Sequence, residues 1–333
     1  MSDDYLWDGS GEPDPAVERL ERVLSPLRSQ RPAPELPAVA GRRSFGGRLA
    51  ALAAAAAFLI AVSGLWLTGR RPRASWEVTR LASTPSGGTV ARAERLRVGE
   101  WLETGESSRA RVKVGTIGEV DIEPRTRLRL VDAGAASHRL RLDHGVLHAR
   151  IWAPPGRFFV DTPSAVAVDL GCEYTLAVDV TGAGLLQVSS GWVGFEQGGR
   201  ESFVPRGGAC AMRPGTGPGT PYYEDATEEL KRALSEVDFG PAVARADALR
   251  RVLATARRKD ALSLWHLLAR RDGEGRPAVY DQLAELVAPP DGVTREGVLA
   301  GDRRMLDRWW EALGLGSAGW WRLWLTHLPP DAS

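Results

Sequence analysis

The stretch RARVKVGTIGEVDIEPRTRLRL, Arg109–Leu130, alternates charged with apolar residues in three runs: Arg109–Val114, Glu119–Ile122 and Arg127–Leu130. A period of two puts the apolar residues of each run on one face of an extended chain, so each reads as a strand with one buried face. Arg139–Leu142 repeats the pattern, and such runs recur from Trp76 to about Arg213. Glycines such as Gly115, Gly118, Gly145, Gly171, Gly191 and Gly199 punctuate them as turns do. With no helical period between the runs, residues 76–213 read as an all-β domain, either a sandwich or a short β-solenoid.

Toward the C-terminus the Gly- and Pro-rich residues 214–224 read as a linker, and the period then changes to 3.6. Glu228–Val237, Ala242–Arg257, Ala261–Arg270, Ala278–Val287 and Met305–Leu313 space their apolar residues as helices do, so residues 225–328 are expected to form an all-α domain. Trp309, Trp310, Trp320, Trp321 and Trp324 crowd its end. They read either as a binding surface or as core, and the spacing of Trp309 with Leu306 and Leu313 favours core.

Toward the N-terminus, Leu49–Gly69 runs 21 residues without a charge. As a helix it would be roughly 30 Å long, enough to cross a bilayer once, and residues 49–69 are expected to be a single transmembrane helix. A cleaved secretory signal fits less well, because the preceding 48 residues are too long and residues 1–24 hold seven acids against two bases. Arg42-Arg43-Ser44-Phe45 is similar to part of a twin-arginine export signal, although Gly46-Gly47 follows. Arginines flank the apolar run on both sides, so the positive-inside rule sets no direction.

Residues 29–48 read as a Pro/Arg-rich linker, and residues 1–28 as a partner-binding segment. Asp14 can cap a helix that opens with Pro15, on which Val17, Leu20, Val23, Leu24 and Leu27 share one face. A helix of this length is marginal alone and would gain stability in a partner's groove. Tyr5, Leu6 and Trp7, among acids, have the character of anchors that fill a partner's pocket, or else fold back on the helix as a staple. The segment has no His or Cys, which excludes a zinc-binding module.

The whole chain, 333 residues with a formal net charge of +1, has no basic excess to attract nucleic acid directly. Cys172 and Cys210 could form one disulfide in an oxidising compartment or stay as two buried thiols. His144 and His148 are four apart, but Gly145 between them reads as a turn, so they are not expected to bind a metal. No His neighbours Cys172 in sequence, and no phosphate-binding loop occurs. No cofactor and no enzymatic activity are expected.

Several segments resemble the FecR domain. Leu96–Trp101 with Thr104-Gly105, and Gly118–Pro124 with Thr126–Leu128, are similar to its early strands. Gly145–Ile151 resembles the next hairpin, Phe159–Pro163 with Val168–Val178 the central pair, and Leu186–Val193 with Val204–Gly208 the closing strands. The resemblance spans roughly residues 80–213. It implies a single-pass regulator of the bacterial inner membrane, with a cytoplasmic N-terminal segment that binds an extracytoplasmic-function sigma factor. The β domain would then be periplasmic and receive a signal from a periplasmic or outer-membrane protein. Cys172 departs from the small or hydroxyl residue usual after the glycine, and the N-terminal segment is short for an anti-sigma domain. The alternative is a cell-envelope scaffold with no sigma-factor role.

Overall fold

The computed structural model describes residues 15–27, 75–83, 89–134, 137–270 and 275–317. The chain divides into two compact units, Met1–Arg71 and Pro72–Ser333. In the first, the described residues form helix α1 (Pro15–Leu24) and one 3₁₀ turn, Ser25–Leu27.

In the second unit, charged and apolar alternation builds the strands. β4 (Ser108–Val114) and β5 (Gly118–Ile122) pair antiparallel so that Val112 faces Val120 and Arg111 faces Asp121. Ala110, Val112, Val114, Val120 and Ile122 are all buried. On the solvent side Arg111 and Asp121 meet at 2.6 Å, and the guanidinium holds the Asp121 carboxyl below the usual carboxylate range despite its partial burial.

The pivot is β7 (His138–Ile151), 14 residues long. Its first half pairs with β6 (Arg127–Ala133) and, in parallel, with β8 (Phe158–Asp161); its second half pairs with β5 and β10 (Glu173–Val178). Gly145, at φ 107°, stands where the strand passes from one sheet to the other. A Cβ there would lie 2.3 Å from the Thr126 hydroxyl, so only glycine admits the bend. His144 and His148 therefore sit in one bent strand, and the turn expected at Gly145 is not formed.

The first sheet runs β2 (Thr89–Arg97), β1 (Ser75–Ser83), β4, β5, β7, β10, β11 (Gly184–Ser190) and β14 (Gly208–Arg213). The second runs β3 (Trp101–Glu103), β6, β7, β8, β9 (Val166–Asp169), β12 (Trp192–Gln197) and β13 (Arg200–Pro205). One core holds side chains of both sheets, among them Val112, Leu147 and Tyr174 from the first and Leu128, Leu140 and Phe195 from the second. Among the described strands every ladder but β7–β8 is antiparallel, which makes this a two-layer sandwich rather than a solenoid of parallel coils.

The helices are α2 (Glu228–Phe239), α3 (Ala242–Thr255), α4 (Ala261–Ala269), α5 (Arg276–Leu286), α6 (Arg295–Leu299) and α7 (Arg303–Ala312). They cover the outer face of the second sheet, where Phe159, Val166, Val168, Leu170 and Phe203 share a hydrophobic core with Leu230, Leu264, Trp265, Leu283 and Trp310. Strands caught between two layers are buried on both faces, as the unbroken burial of Phe158–Val160 and Val166–Asp169 shows.

Three expectations about fold class are corrected here. The helical third is not a separate all-α domain, because its core is continuous with the outer face of the β region and both lie in one compact unit. Residues 214–224 are not a free linker: β15 (Gly217–Pro218) and β16 (Tyr222–Tyr223) both pair with β14, and Thr220 is held by Asp238. A single transmembrane helix is no part of the described fold, since among the described residues no helix is long and apolar enough to cross a membrane. The run Leu49–Gly69 lies outside the described residues, as do the linker 29–48 and Trp320, Trp321 and Trp324.

The layers are joined by an aromatic cluster. Trp310 of α7 meets Trp265 at 4.6 Å, His266 at 5.6 Å, Trp192 of β12 at 5.8 Å and Phe203 of β13 at 6.4 Å between ring centroids. Its indole N–H donates to the Leu315 carbonyl, and that of Trp265 to Leu306, so neither ring leaves a buried donor unmet. Trp310→Ala should therefore cost about 3–5 kcal/mol of unfolding free energy. Because the ring belongs to both layers, far-UV circular dichroism and tryptophan fluorescence should show one shared transition moved to lower denaturant. Two separated transitions, with only the helical one moved, would show that the layers fold independently.

Candidate partner-binding site

Helix α1 carries three of the residues read from sequence as partner-binding: Val17, Leu20 and Leu24. Pro15 fixes the first helical φ, Glu18 lies in the first turn and Arg22 in the last, each complementing the helix dipole. Arg22 and Glu18 stand 3.9 Å apart at i,i+4 and are more than half exposed, a pair that contributes only a few tenths of a kcal/mol. The Ser25 hydroxyl closes the helix by donating to the Arg22 carbonyl.

A spacing of four puts Leu20 and Leu24 on one face, with Val23 beside them. Leu20 is 61% exposed, Val23 68% and Leu24 48%. A soluble helix normally buries such a stripe. Tyr5, Leu6 and Trp7, the other three residues of the site, lie outside the described residues.

The two cysteines are free and buried, so the bridge between them is not formed. The ladders explain why. Cys210 of β14 stands opposite Leu186, and Leu186 opposite Leu176 of β10, which places it two strands across, ~10 Å, while Cys172 lies four residues further along, ~13 Å. A disulfide needs Cα atoms about 4.4–6.8 Å apart.

Cys172 has a different partner. Asp169, in register with inward-facing Ala167 on β9, turns its carboxyl into the sandwich core, where one oxygen accepts from the Gly171 N–H at 2.7 Å and the other meets the Cys172 thiol at 2.7 Å. Burial pushes the Asp169 carboxyl up to about 7, against the hydrogen bonds that favour its charged form. Burial, and then the neighbouring carboxyl, push the Cys172 thiol well above its ordinary value. Such a thiol is a poor nucleophile. Tyr174, two residues on, is buried beside them with no partner for its hydroxyl. Asp169 stands three residues before Cys172 in sequence, but the direction of its carboxyl depends on the burial of β9 on both faces.

His144 and His148 both have protein partners. His148 meets the Thr175 hydroxyl at 2.8 Å and Glu123 at 3.4 Å, and His144 lies 3.4 Å from Asp143. Among the described residues no group of three or more His, Cys, Asp or Glu could hold a metal ion.

The strands that carry this geometry, β3 to β12, coincide with a known family. Residues 100–194 match the model of the FecR protein family. The match lies within the sandwich; β1, β2, β13, β14 and all the helices fall outside it. No curated protein matches the chain. Among solved structures it is similar to a candidate anti-sigma factor from Parabacteroides distasonis, known from crystals at 1.65 and 2.50 Å, with 14% identity, a TM-score of 0.34 and 40% of this chain covered. The chain spans 63% of that protein's length.

Within the matched stretch, Asp169 makes stability depend on pH. The folded chain keeps a proton on this carboxyl that the unfolded chain releases near 3.8, so the contribution is full in acid and is lost as pH rises through about 7. Asp169→Asn, which cannot ionise, should flatten the fall in urea midpoint between pH 5 and pH 8. An unchanged slope in the variant would show that Asp169 is already charged in the fold.

Proposed function

We propose that this chain regulates an extracytoplasmic-function sigma factor through its N-terminal segment. The observation that carries the reading is the exposed apolar face of α1, Leu20, Val23 and Leu24, in a chain whose residues 100–194 match the FecR family. A partner's groove would take that face, with Tyr5, Leu6 and Trp7 as further anchors. In the same reading the N-terminal segment is cytoplasmic, the unit Pro72–Ser333 is periplasmic at the bacterial inner membrane, and a periplasmic or outer-membrane signalling protein acts on that unit. Binding rather than catalysis is the proposed activity. This fits the raised, unreactive thiol of Cys172.

The test uses the full-length chain as bait for the cytosol of its own cells, beside Leu20→Asp and Trp7→Ala. A sigma factor should be recovered by the parent chain and reduced at least tenfold by each variant, the loss expected for about 1.4 kcal/mol or more at a hot spot. Recovery of no sigma factor by the intact parent would favour the envelope-scaffold role. Proteinase added to spheroplasts should spare an N-terminal tag and remove a C-terminal one; the reverse pattern would overturn the proposed placement.

A further inference from the structure

Two packed sheets have four edges, and among the described strands three of these are short or covered. At one end of the second sheet β3 offers only three residues, and at its other end β13 is bonded to His266 of α4. At one end of the first sheet β14 is capped by β15 and β16. The fourth edge is β2. Its nine residues pair with β1 in an unbroken register, from Ser75 opposite Arg97 to Ser83 opposite Thr89. Among the described residues no strand pairs on its other side. Ala91, Arg92, Ala93, Arg95 and Arg97 are exposed along it. A long edge without proline or bulge presents a row of backbone donors and acceptors that invites another strand.

Charged side chains normally guard such an edge. Here they are arranged to accept a copy of themselves. Leu96 points into the core, so Arg92 and Glu94, an even number of residues away, share its face, while Ala91, Ala93 and Arg95 share the other. Two β2 strands related by a two-fold axis normal to the sheet run antiparallel and keep those faces in common. The residue on the axis then sets every pairing. An axis at Arg92, Glu94 or Arg95 puts that charge opposite its own copy, and an axis at Leu96 puts Arg95 opposite Arg97. Like charges directly opposed are destabilising. An axis at Ala93 opposes none, and it sets Arg92 of each copy against Glu94 of the other.

Both members of that pair are available. Among the described residues Arg92 has no ion pair, and across the β1–β2 ladder it stands opposite Arg80, an unfavourable neighbour. Glu94 gives one oxygen, Oε1, to Arg80 at 2.6 Å, and its second oxygen can take another cation. We infer that two copies of this chain associate edge to edge through β2, antiparallel about Ala93, so that their first sheets become one. The contact rests on neither the N-terminal helix nor a sigma factor.

Oxidative cross-linking of the full-length chain carrying Ala93→Cys tests this, and the buried Cys172 and Cys210 do not compete. Facing Cα atoms in an antiparallel ladder lie about 4.5–5.5 Å apart, within reach of a disulfide, so a covalent dimer should appear on a non-reducing gel. Ala91→Cys, whose two copies would be offset by four residues, ~13 Å, should give at least tenfold less. Adding Arg92→Glu to Ala93→Cys sets acid against acid and should lower the dimer yield at least tenfold. Arg92→Glu with Glu94→Arg exchanges the pair, leaves a carboxylate opposite Arg80, and should restore the yield. Unfolding midpoints show which variants fold; if the double exchange does not, the Ala91→Cys comparison and Arg92→Glu decide the matter. No dimer from Ala93→Cys, equal yields from the two cysteines, a yield unmoved by Arg92→Glu, or no recovery in a folded double exchange would each overturn the assignment.

Discussion

The hydrogen bond from the Phe203 backbone N–H to His266 Nε2, 3.0 Å long and buried, is the link on which the layering of this protein depends. Phe203 lies on β13, the last strand of the second sheet, whose outward N–H groups have no further strand to meet. An uncovered edge of that kind invites pairing with other chains. Here α4 covers it. His266 can accept from β13 only as a neutral imidazole protonated at Nδ1, and Nδ1 stands 2.8 Å from the Leu262 carbonyl one helical turn back, where that proton is donated. Burial holds the ring neutral by lowering its pKa to about 3, with the nearby Arg270 charge acting in the same direction.

That link works beside a second polar contact at the same junction, where Asp238 of α2 receives bonds from the Thr220 N–H and from Arg200 and Arg270. A buried ion cluster stabilises little compared with well-packed apolar groups, but breaking one partner leaves a charge unmet, so such clusters favour one arrangement over near alternatives. Apolar area alone would tolerate small slides of helices over a sheet. The aromatic rings around Trp310 supply the area, and His266 and Asp238 set the register. Acid acts on these features in opposite senses. His266 contributes stability that is full above about 6.5 and is lost as pH falls toward 3, whereas Asp169 contributes stability that is lost as pH rises through about 7.

The β region was the most legible part of the sequence, because strict alternation in Arg109–Leu130 fixes both the strands and the face each buries. Five of the helices were legible for the same reason. α6 was not, since Arg295–Leu299 is barely one turn and contains Gly297. The relation of helices to strands was misread for a physical reason: residues 214–224 carry the glycines and prolines of a linker, yet two-residue β15 and β16 need no periodicity and pair at a sheet edge, where a proline without an N–H is tolerated. Gly145 was read as a turn because a bend that carries a strand between two sheets leaves the same mark. The polar clamp at Asp238 was illegible altogether. Nothing in the spacing of Arg200, Thr220, Asp238 and Arg270 says that they meet, because only the packing of the helices on β13 brings them together.

The exposed face of α1 bears on how a partner could be held. Burying Leu20, Val23 and Leu24 fully would stabilise a complex by about 1.5–3 kcal/mol each. Joining two bodies costs an estimated 4–15 kcal/mol, and a ten-residue helix spends further free energy on its own ordering. Those terms nearly cancel, so the helix face alone could give only weak binding. Tight regulation of a partner therefore requires a second anchor on the same segment, and an aromatic residue in a desolvated pocket is the side chain able to add several kcal/mol at one position. Trp7 has that chemistry and lies eight residues before Pro15. The helix and the tryptophan would thus act as one bipartite element, in which loss of either leaves the other too weak to hold the partner.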